Sequence, residues 1–281
     1  MIGNDVLLPQ PYFLSLHHQF HLDVNLAALA PLDERNTELI RQAAGVLMPK
    51  YCSPGRHRQV AHLAKAYFPN LSSRYRYRGK AQQIPLFQAH GVPYPETMIF
   101  EHPQALTSMI KARGQPMEFP YVLKGNSGGG GANVFCIQDE QSLFERIKQL
   151  PEHEPVLIQE WVDHGGMDLR VVLMGRIVRS YFRVGGGDFY NNVSKGARIE
   201  ADLFPEKQQQ GRDMALDLAR AAGIDLAGFD ILFPVGGRPL FLEVNFLFGR
   251  KGLGGLQGYR RMFRQAVQDW MDRVRMDAAP N

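Results

Sequence analysis

Apolar positions along the chain follow two periods, and the switches between them outline the elements. In SPGRHRQVAHLAKAYF, Ser53 stands as an N-cap with Pro54 at the first helical position, which predicts a helix. KAQQIPLFQAHG predicts a second helix stopping at Gly91, and EQSLFERIKQL a short charged one. In EKQQQGRDMALDLARAAG, Met214, Leu218, Ala219 and Ala222 share one helical face, and Gly223 is a suitable C-terminal stop. A last helix carries Tyr259, Met262, Phe263, Ala266, Val267, Trp270, Met271 and Val274 at helical spacing, an aromatic stripe that reads as core packing. Strands are predicted at YVLKG, ANVFCI, PVLIQEWV and DLRVVLMGRIVRSYFRV from their β-branched and aromatic residues. GFDILFPVGGRPLFLEVN reads as a hairpin turning at Gly236 and Gly237. RYRYRGK alternates with period two, so a solvated edge strand is expected, with Arg74, Arg76 and Arg78 on one face and Tyr75 and Tyr77 on the other. The same basic and aromatic interleaving is found in nucleic-acid binders, the less favoured reading.

Composition narrows the class. With 281 residues, 44% of them hydrophobic and 21% charged, the chain can bury a large core and exceeds one simple domain. Apolar runs are broken by charge, Gly or Pro well short of the roughly 18 residues of a membrane span. Met1 to Phe20 lacks a basic start followed by an apolar block, so a cytoplasmic protein with no membrane partner is expected. Cys52 and Cys136 cannot make a disulfide framework or a four-cysteine zinc site. A formal net charge of +4 points weakly to an anionic ligand and does not imply a nucleic-acid partner.

Three segments carry candidate chemistry. In YVLKGNSGGGGANVFCI a strand delivers Lys124 to a loop containing Gly125 and Gly128 to Gly131, whose backbone N–H groups can approach a polyphosphate as a lid; a hairpin with no ligand is the alternative. In VLIQEWVDHGGMDLRVVLMG, Gln159, Glu160, Trp161 and Val162 end an apolar strand whose edge can pair with a purine. Asp168 follows in reach of ribose hydroxyls, unless the segment is merely a capped β-hairpin. In the hairpin of residues 228–245, alternation puts Glu243 and Asn245 on one face, and Asp230 can join them across the pair. Three hard oxygen donors suit Mg²⁺ beside phosphates; a solvated or arginine-paired acid cluster is the alternative. His17, His18 and His21 have no Cys or acidic pattern to complete a metal site, so a surface or packed role is expected. His18 and His21 would share a face if that segment were helical.

The order of these segments resembles the ATP-grasp superfamily, most closely its RimK-type ligases, with a likeness also to the ATP-grasp proteins of the GAK gene system. The resemblance runs from about Gly79 to Gly255 and is most specific in AGFDIL and GRPLFLEVN. It implies an α/β (α+β) fold of two subdomains gripping a nucleotide. These are a central part over residues 79–157 with the glycine-rich lid and a C-terminal part over 158–276 with the metal site, after a small α/β lobe over 1–78 and before a tail, 277–281.

The resemblance also implies a Mg-ATP-dependent (or Mn-ATP-dependent) carboxylate–amine ligase, ADP-forming, working through an acyl phosphate on an amino acid and a peptide, protein or small-molecule acceptor. A homo-oligomer is expected. A nucleotide-binding regulatory or scaffolding protein without ligase activity is the alternative. Lys80 and Lys124 would hold ATP phosphates beneath a lid formed by Ser127, Gly128, Gly129 and Gly130. Gln159 to Val162 would line the adenine and Asp168 the ribose. Asp230, Glu243 and Asn245 would be the metal ligands, with Arg183 and Asn192 at the reacting phosphate or acceptor. Arg170, Lys195 and Arg250 are candidate substrate contacts. The chain departs from the RimK pattern after Asn245, where NFLFGRKGLGG puts Phe248 in the place of Pro and adds Arg250 and Lys251, and at Tyr190, where Arg is common. Both departures fall near the acceptor end, which leaves glutamate unassigned as the substrate.

Overall fold

The computed structural model describes residues 11–185 and 196–278. Three sheets organise the chain. The first is parallel, in the order β2-β1-β3-β4, from β1 (Phe13–Ser15), β2 (Val24–Asn25), β3 (Gly45–Leu47) and β4 (Tyr67–Phe68). Its connections include α1 (Glu34–Gln42), capped by the Asp33 side chain, and α2 (Pro54–Leu63), where Ser53 accepts from the Arg56 N–H as the sequence predicts. α3 (Ser72–Arg76) follows β4.

The second sheet is antiparallel, β5-β8-β6-β7, from β5 (Thr97–Phe100), β6 (Tyr121–Gly125), β7 (Val134–Ile137) and β8 (Val156–Glu160). α4 (Lys80–Ala89) leads into it, and α5 (Pro103–Arg113) and α6 (Glu140–Ile147) connect its strands, α6 opening on an Asp139–Ser142 capping box. The third sheet, β11-β10-β9-β12-β13, comprises β9 (Met167–Met174), β10 (Ile177–Val184), β11 (Arg198–Glu200), β12 (Leu226–Leu232) and β13 (Leu240–Asn245). α7 (Pro205–Ala222) ends where Gly223 takes φ +64°, a conformation costly for residues with a Cβ.

Alternation gives the third sheet two faces. Leu169, Val171, Phe182, Phe229 and Ile231 point into a core shared with Leu218 and Ala219 of α7 and with Ile84 and Phe87 of α4. The polar face is the site described below. The last helix, α8 (Gly255–Ala278), lays its aromatic stripe across the parallel sheet: Trp270 packs edge-on to Phe13 at 5.5 Å and stacks on Phe68 at 5.9 Å. A side chain at Gly45 would put its Cβ 2.7 Å from the indole, so glycine there permits the contact.

One local expectation is corrected. RYRYRGK is not an edge strand: residues 72–76 form α3, because Arg74 donates to the Lys50 carbonyl and the Tyr75 hydroxyl to that of Cys52, partners that alternation cannot reveal. The segment of His17 to His21 is a turn, and His17 takes the packed role expected of it: it is buried, stacked on His18 and edge-on to Phe20.

Candidate active site

The register of the third sheet assembles the site. Tyr181 pairs with Arg170, Arg170 with Asp230 and Asp230 with Glu243, a row crossing β10, β9, β12 and β13; in the neighbouring row Arg183 pairs with Asp168. Directly paired residues share a face, so these side chains converge. Arg170 binds Asp230 through two nitrogens, Nη2 to Oδ2 at 3.0 Å and Nε to Oδ1. Arg183 grips Asp168 and also lies 3.0 Å from Asp230 Oδ2. Asn245 Nδ2 donates to the same oxygen at 3.0 Å. Burial opposes the charge on Asp230, but Arg170 and Arg183 outweigh it and hold the carboxyl below its ordinary pKa. A register shift between Asp230 and Ile231 makes Leu242 the extra residue of a β-bulge, so Leu242 and Glu243 both line the cavity.

That cavity, of about 410 Å³, lies between the second and third sheets. Its lining brings together Lys80, Lys124, Gly128, Gly129, Gly130, Gln159, Glu160, Trp161, Val162, Asp168, Arg170, Arg183, Asp230, Glu243 and Asn245 of the residues singled out from sequence. Burial pushes the Lys124 ammonium down to about 8; Lys80 acts in the same direction, while Glu243 and Asp230 oppose it. Gln159 Oε1 accepts from Lys124 Nζ, and Gln159 Nε2 donates to Thr97 Oγ1 at 2.8 Å. Lys80 Nζ donates to the Gly128 carbonyl at 3.1 Å and stands 3.8 Å from Glu243.

Some expected residues fall elsewhere. Ser127 is not part of the lining, and its carbonyl accepts from Asn133. Arg250 turns away from the cavity, its guanidinium 5.0 Å from the Tyr259 ring centroid. Asp168 lines the cavity but its carboxylate faces Arg183. Asn192, Lys195 and Tyr190 lie outside the described residues.

Sequence reasoning missed several contributors. Asn126 accepts from the Ala81 N–H at 3.0 Å while its carbonyl takes the Lys80 N–H, tying the start of α4 to the glycine loop. Gln83, further along α4, bonds both backbone groups of Val244, the residue between Glu243 and Asn245. Its polar side chain, directly before the apolar run IPLF, was the available signal. His164 lines the cavity with a buried Nδ1 that has no hydrogen-bond partner among the described residues. Gly252 was also missed: it lines the far end beside Phe248 and Lys251, which the sequence had singled out, and a Cβ on it would fall 2.0 Å from the Tyr181 ring.

Asp230, Glu243 and Asn245 supply two carboxylates and one amide oxygen. Among the described residues no group of three His, Cys, Asp or Glu is arranged for a metal. A set with few protein oxygens suits Mg²⁺, which fills its remaining positions with water and phosphate.

Two sheets closing on a lysine-lined cavity beneath a glycine-rich hairpin are the mark of the ATP-grasp fold. The VanG D-Ala:D-Ser ligase of Enterococcus faecalis superposes with TM-score 0.60 at 18% identity over 83% of this chain and 73% of that one. The ATP-grasp ligase PsnB, in complex with precursor peptide PsnA2 and AMPPNP, superposes with TM-score 0.52 at 19% identity over 75% and 70%. A probable alpha-L-glutamate ligase of Xanthomonas campestris pv. campestris is 31% identical over 199 residues, 68% of this chain and 65% of that relative's length. Residues 77–258 match the RimK-like ATP-grasp domain, and the chain belongs to that family.

Proposed function

We propose that the protein is an ATP-dependent, ADP-forming carboxylate–amine ligase. The observation carrying this reading is the convergence of Lys80, Lys124, Arg183, Asp230, Glu243 and Asn245 on one cavity under a glycine hairpin. In this reading residues 79–157 supply the lid and phosphate lysines, residues 158–276 the nucleotide hinge and acid set, and residues 1–78 a separate lobe.

Lys80 and Lys124 hold the phosphates of ATP, and Gly128 to Gly130 close over them. The segment Gln159 to Val162 lines the purine. Asp168 is committed to Arg183, so His164, with its unpartnered Nδ1, is the better placed donor or acceptor for the ribose end. The Asp230, Glu243 and Asn245 set fits Mg²⁺ or Mn²⁺, which when bound supplies charge neutralisation at the phosphates. A substrate carboxylate oxygen attacks the γ-phosphorus, ADP departs, and the acyl phosphate loses inorganic phosphate to an incoming amine, whose nitrogen gives up a proton as the amide forms. Arg183, at the junction of Asp168 and Asp230, faces the transferring group and offsets its charge. Asn192 joins it in this scheme. No side-chain nucleophile is needed.

The name of the Xanthomonas relative supports an amino acid as one substrate, and the PsnB complex supports a peptide as the other. Phe248 and Lys251, at the far end of the cavity, are where the acceptor is selected. The test is ADP release by the purified protein with pooled amino acids, small carboxylates and peptides. Metal-dependent ADP release that requires an added carboxylate and amine supports ligation. Tight ATP binding with no ADP release under any pool replaces it with the nucleotide-binding regulator, a reading favoured by the arginine pairing of Asp230.

A further inference from the structure

The parallel sheet has its own switch point. The chain leaves β1 for β2 on one side and returns to place β3 on the other, so β1 and β3 flank the reversal. In open α/β sheets, ligands seat in the crevice beyond the carboxyl ends of the strands at such a point. His17 and His18 follow the end of β1 there, and Lys50 and Tyr51 follow the end of β3. Arg74 reaches the same place from α3, donating to the Lys50 carbonyl, and Arg250 reaches it from the loop before α8.

This crevice gathers cations without acids. Lys50 Nζ lies 5.2 Å from the centroids of both Tyr51 and Tyr259, and the Arg250 guanidinium lies 5.0 Å from the same Tyr259 ring. Among the described residues no carboxylate comes within 4.0 Å of Lys50, Arg74 or Arg250. Arg56, beside Cys52, has Nε and Nη2 buried with no hydrogen-bond partner among the described residues. Partly buried cations are ordinarily paired, and ring faces offset only part of their desolvation. Burial lowers the Lys50 pKa, and Arg250 and Arg74 lower it further. His17, pushed down to about 4 by burial, His18 and Lys50, is neutral; its Nδ1 accepts from the Gln19 N–H, which leaves the ring proton on Nε2 as a donor.

The crevice is separate from the nucleotide cavity, whose lining includes none of Lys50, Arg74 and Arg250. One aromatic layer divides them: the Tyr259 ring packs 6.4 Å from Phe248, which lines the cavity. We propose that Lys50, Arg74 and Arg250, roofed by Tyr51 and Tyr259, form a second binding site for a small polyanion carrying carboxylate or phosphate groups. Bound there, the anion links the parallel sheet to the loop of residues 246–254, which lines the far end of the cavity. The assignment does not depend on the ligation reading.

The test uses the full chain at low ionic strength, titrated with inorganic phosphate or with citrate against sodium chloride of matched ionic strength, read by thermal unfolding and calorimetry. Wild-type protein is expected to gain several degrees in Tm with one of the two anions, and which one acts separates a phosphate from a carboxylate ligand. Lys50→Gln and Arg250→Gln are each expected to weaken that anion about tenfold or more, as loss of one charge-assisted contact implies. In chloride alone the same variants should melt above wild type, because repulsion among the cations is relieved. Lys124→Ala should keep the anion response, since it alters only the nucleotide cavity. No anion-specific rise in Tm overturns the site, as does a rise that survives Lys50→Gln and Arg250→Gln or disappears in Lys124→Ala.

Discussion

The side-chain amide of Gln83 satisfies both backbone groups of Val244, donating to its carbonyl at 2.9 Å and accepting from its N–H at 2.8 Å. Val244 stands between Glu243 and Asn245 on the outer strand of the sheet, where no further strand among the described residues meets those groups. The start of the same helix is held by Asn126 of the glycine loop. α4 is therefore the brace that fixes the acid-bearing strand against the lid. Replacing Gln83 with Leu leaves two buried backbone groups unpaired, each at a cost of about 1–3 kcal/mol. Urea unfolding should show that loss, and the metal concentration giving half-maximal ATP turnover should rise several-fold. An unchanged metal dependence in a destabilised variant would reduce Gln83 to a packing residue.

Glu243 is half-buried at the cavity wall, with Lys80 as its nearest cation at 3.8 Å. Glu243→Gln keeps the shape and removes the charge. Turnover should fall by about a hundredfold or more, as for loss of a charged group acting on the transferring phosphate, while Tm changes little. Wild-type turnover in this variant would take Glu243 out of the metal set.

Lys124 links stability to pH. Its folded pKa of about 8 lies below the ordinary lysine value of 10.5, so between those values the folded chain has released a proton that the unfolded chain still holds. Stability contributed at this position rises with pH across that window, by up to about 3 kcal/mol at 1.36 kcal/mol per unit, and is flat below it. Lys124→Met should lose the slope. Parallel stability profiles for the two proteins between pH 8 and 10.5 would contradict the buried, charge-strained lysine described here. Over the same interval wild-type affinity for ATP should fall, because the neutral amine no longer pairs with phosphate.

Gly252 lies against the buried Tyr181 ring, with room for no Cβ. Gly252→Ala should cost about 1–3 kcal/mol by overpacking and should displace the loop carrying Phe248 and Lys251. Acceptor KM should then rise more than ATP KM. Equal effects on both would place the damage in the sheet and not in the acceptor end.

Much of this arrangement was legible in the sequence because it rests on local pattern. Hairpin strands rich in Val, Ile and Phe, and helices bounded by Ser53 and Gly223, were read close to where they form. RYRYRGK misled because period two is also compatible with a short helix whose Arg74 and Tyr75 find distant carbonyls. At the site, the positions of Asp230, Glu243 and Asn245 followed from alternation, but the pairing of Arg170 with Asp230 and Arg183 with Asp168 did not. Those partners are opposite one another only once the register of three strands is set, and register is a tertiary property. The role of Gln83 was hidden for the same reason, since its partner lies 161 residues away.

Asp168, Asp230, Arg170 and Arg183 contain equal numbers of acids and bases, packed within direct contact. Beyond a Debye length of about 8 Å such a quartet is nearly invisible to an approaching polyanion. The far field at the mouth is left to Lys80 and Lys251, set against Glu160 and Glu243. In the proposed ligase, attraction and geometry are thus assigned to different residues: lysines recruit from a distance, and the arginines act only on a group that has already arrived.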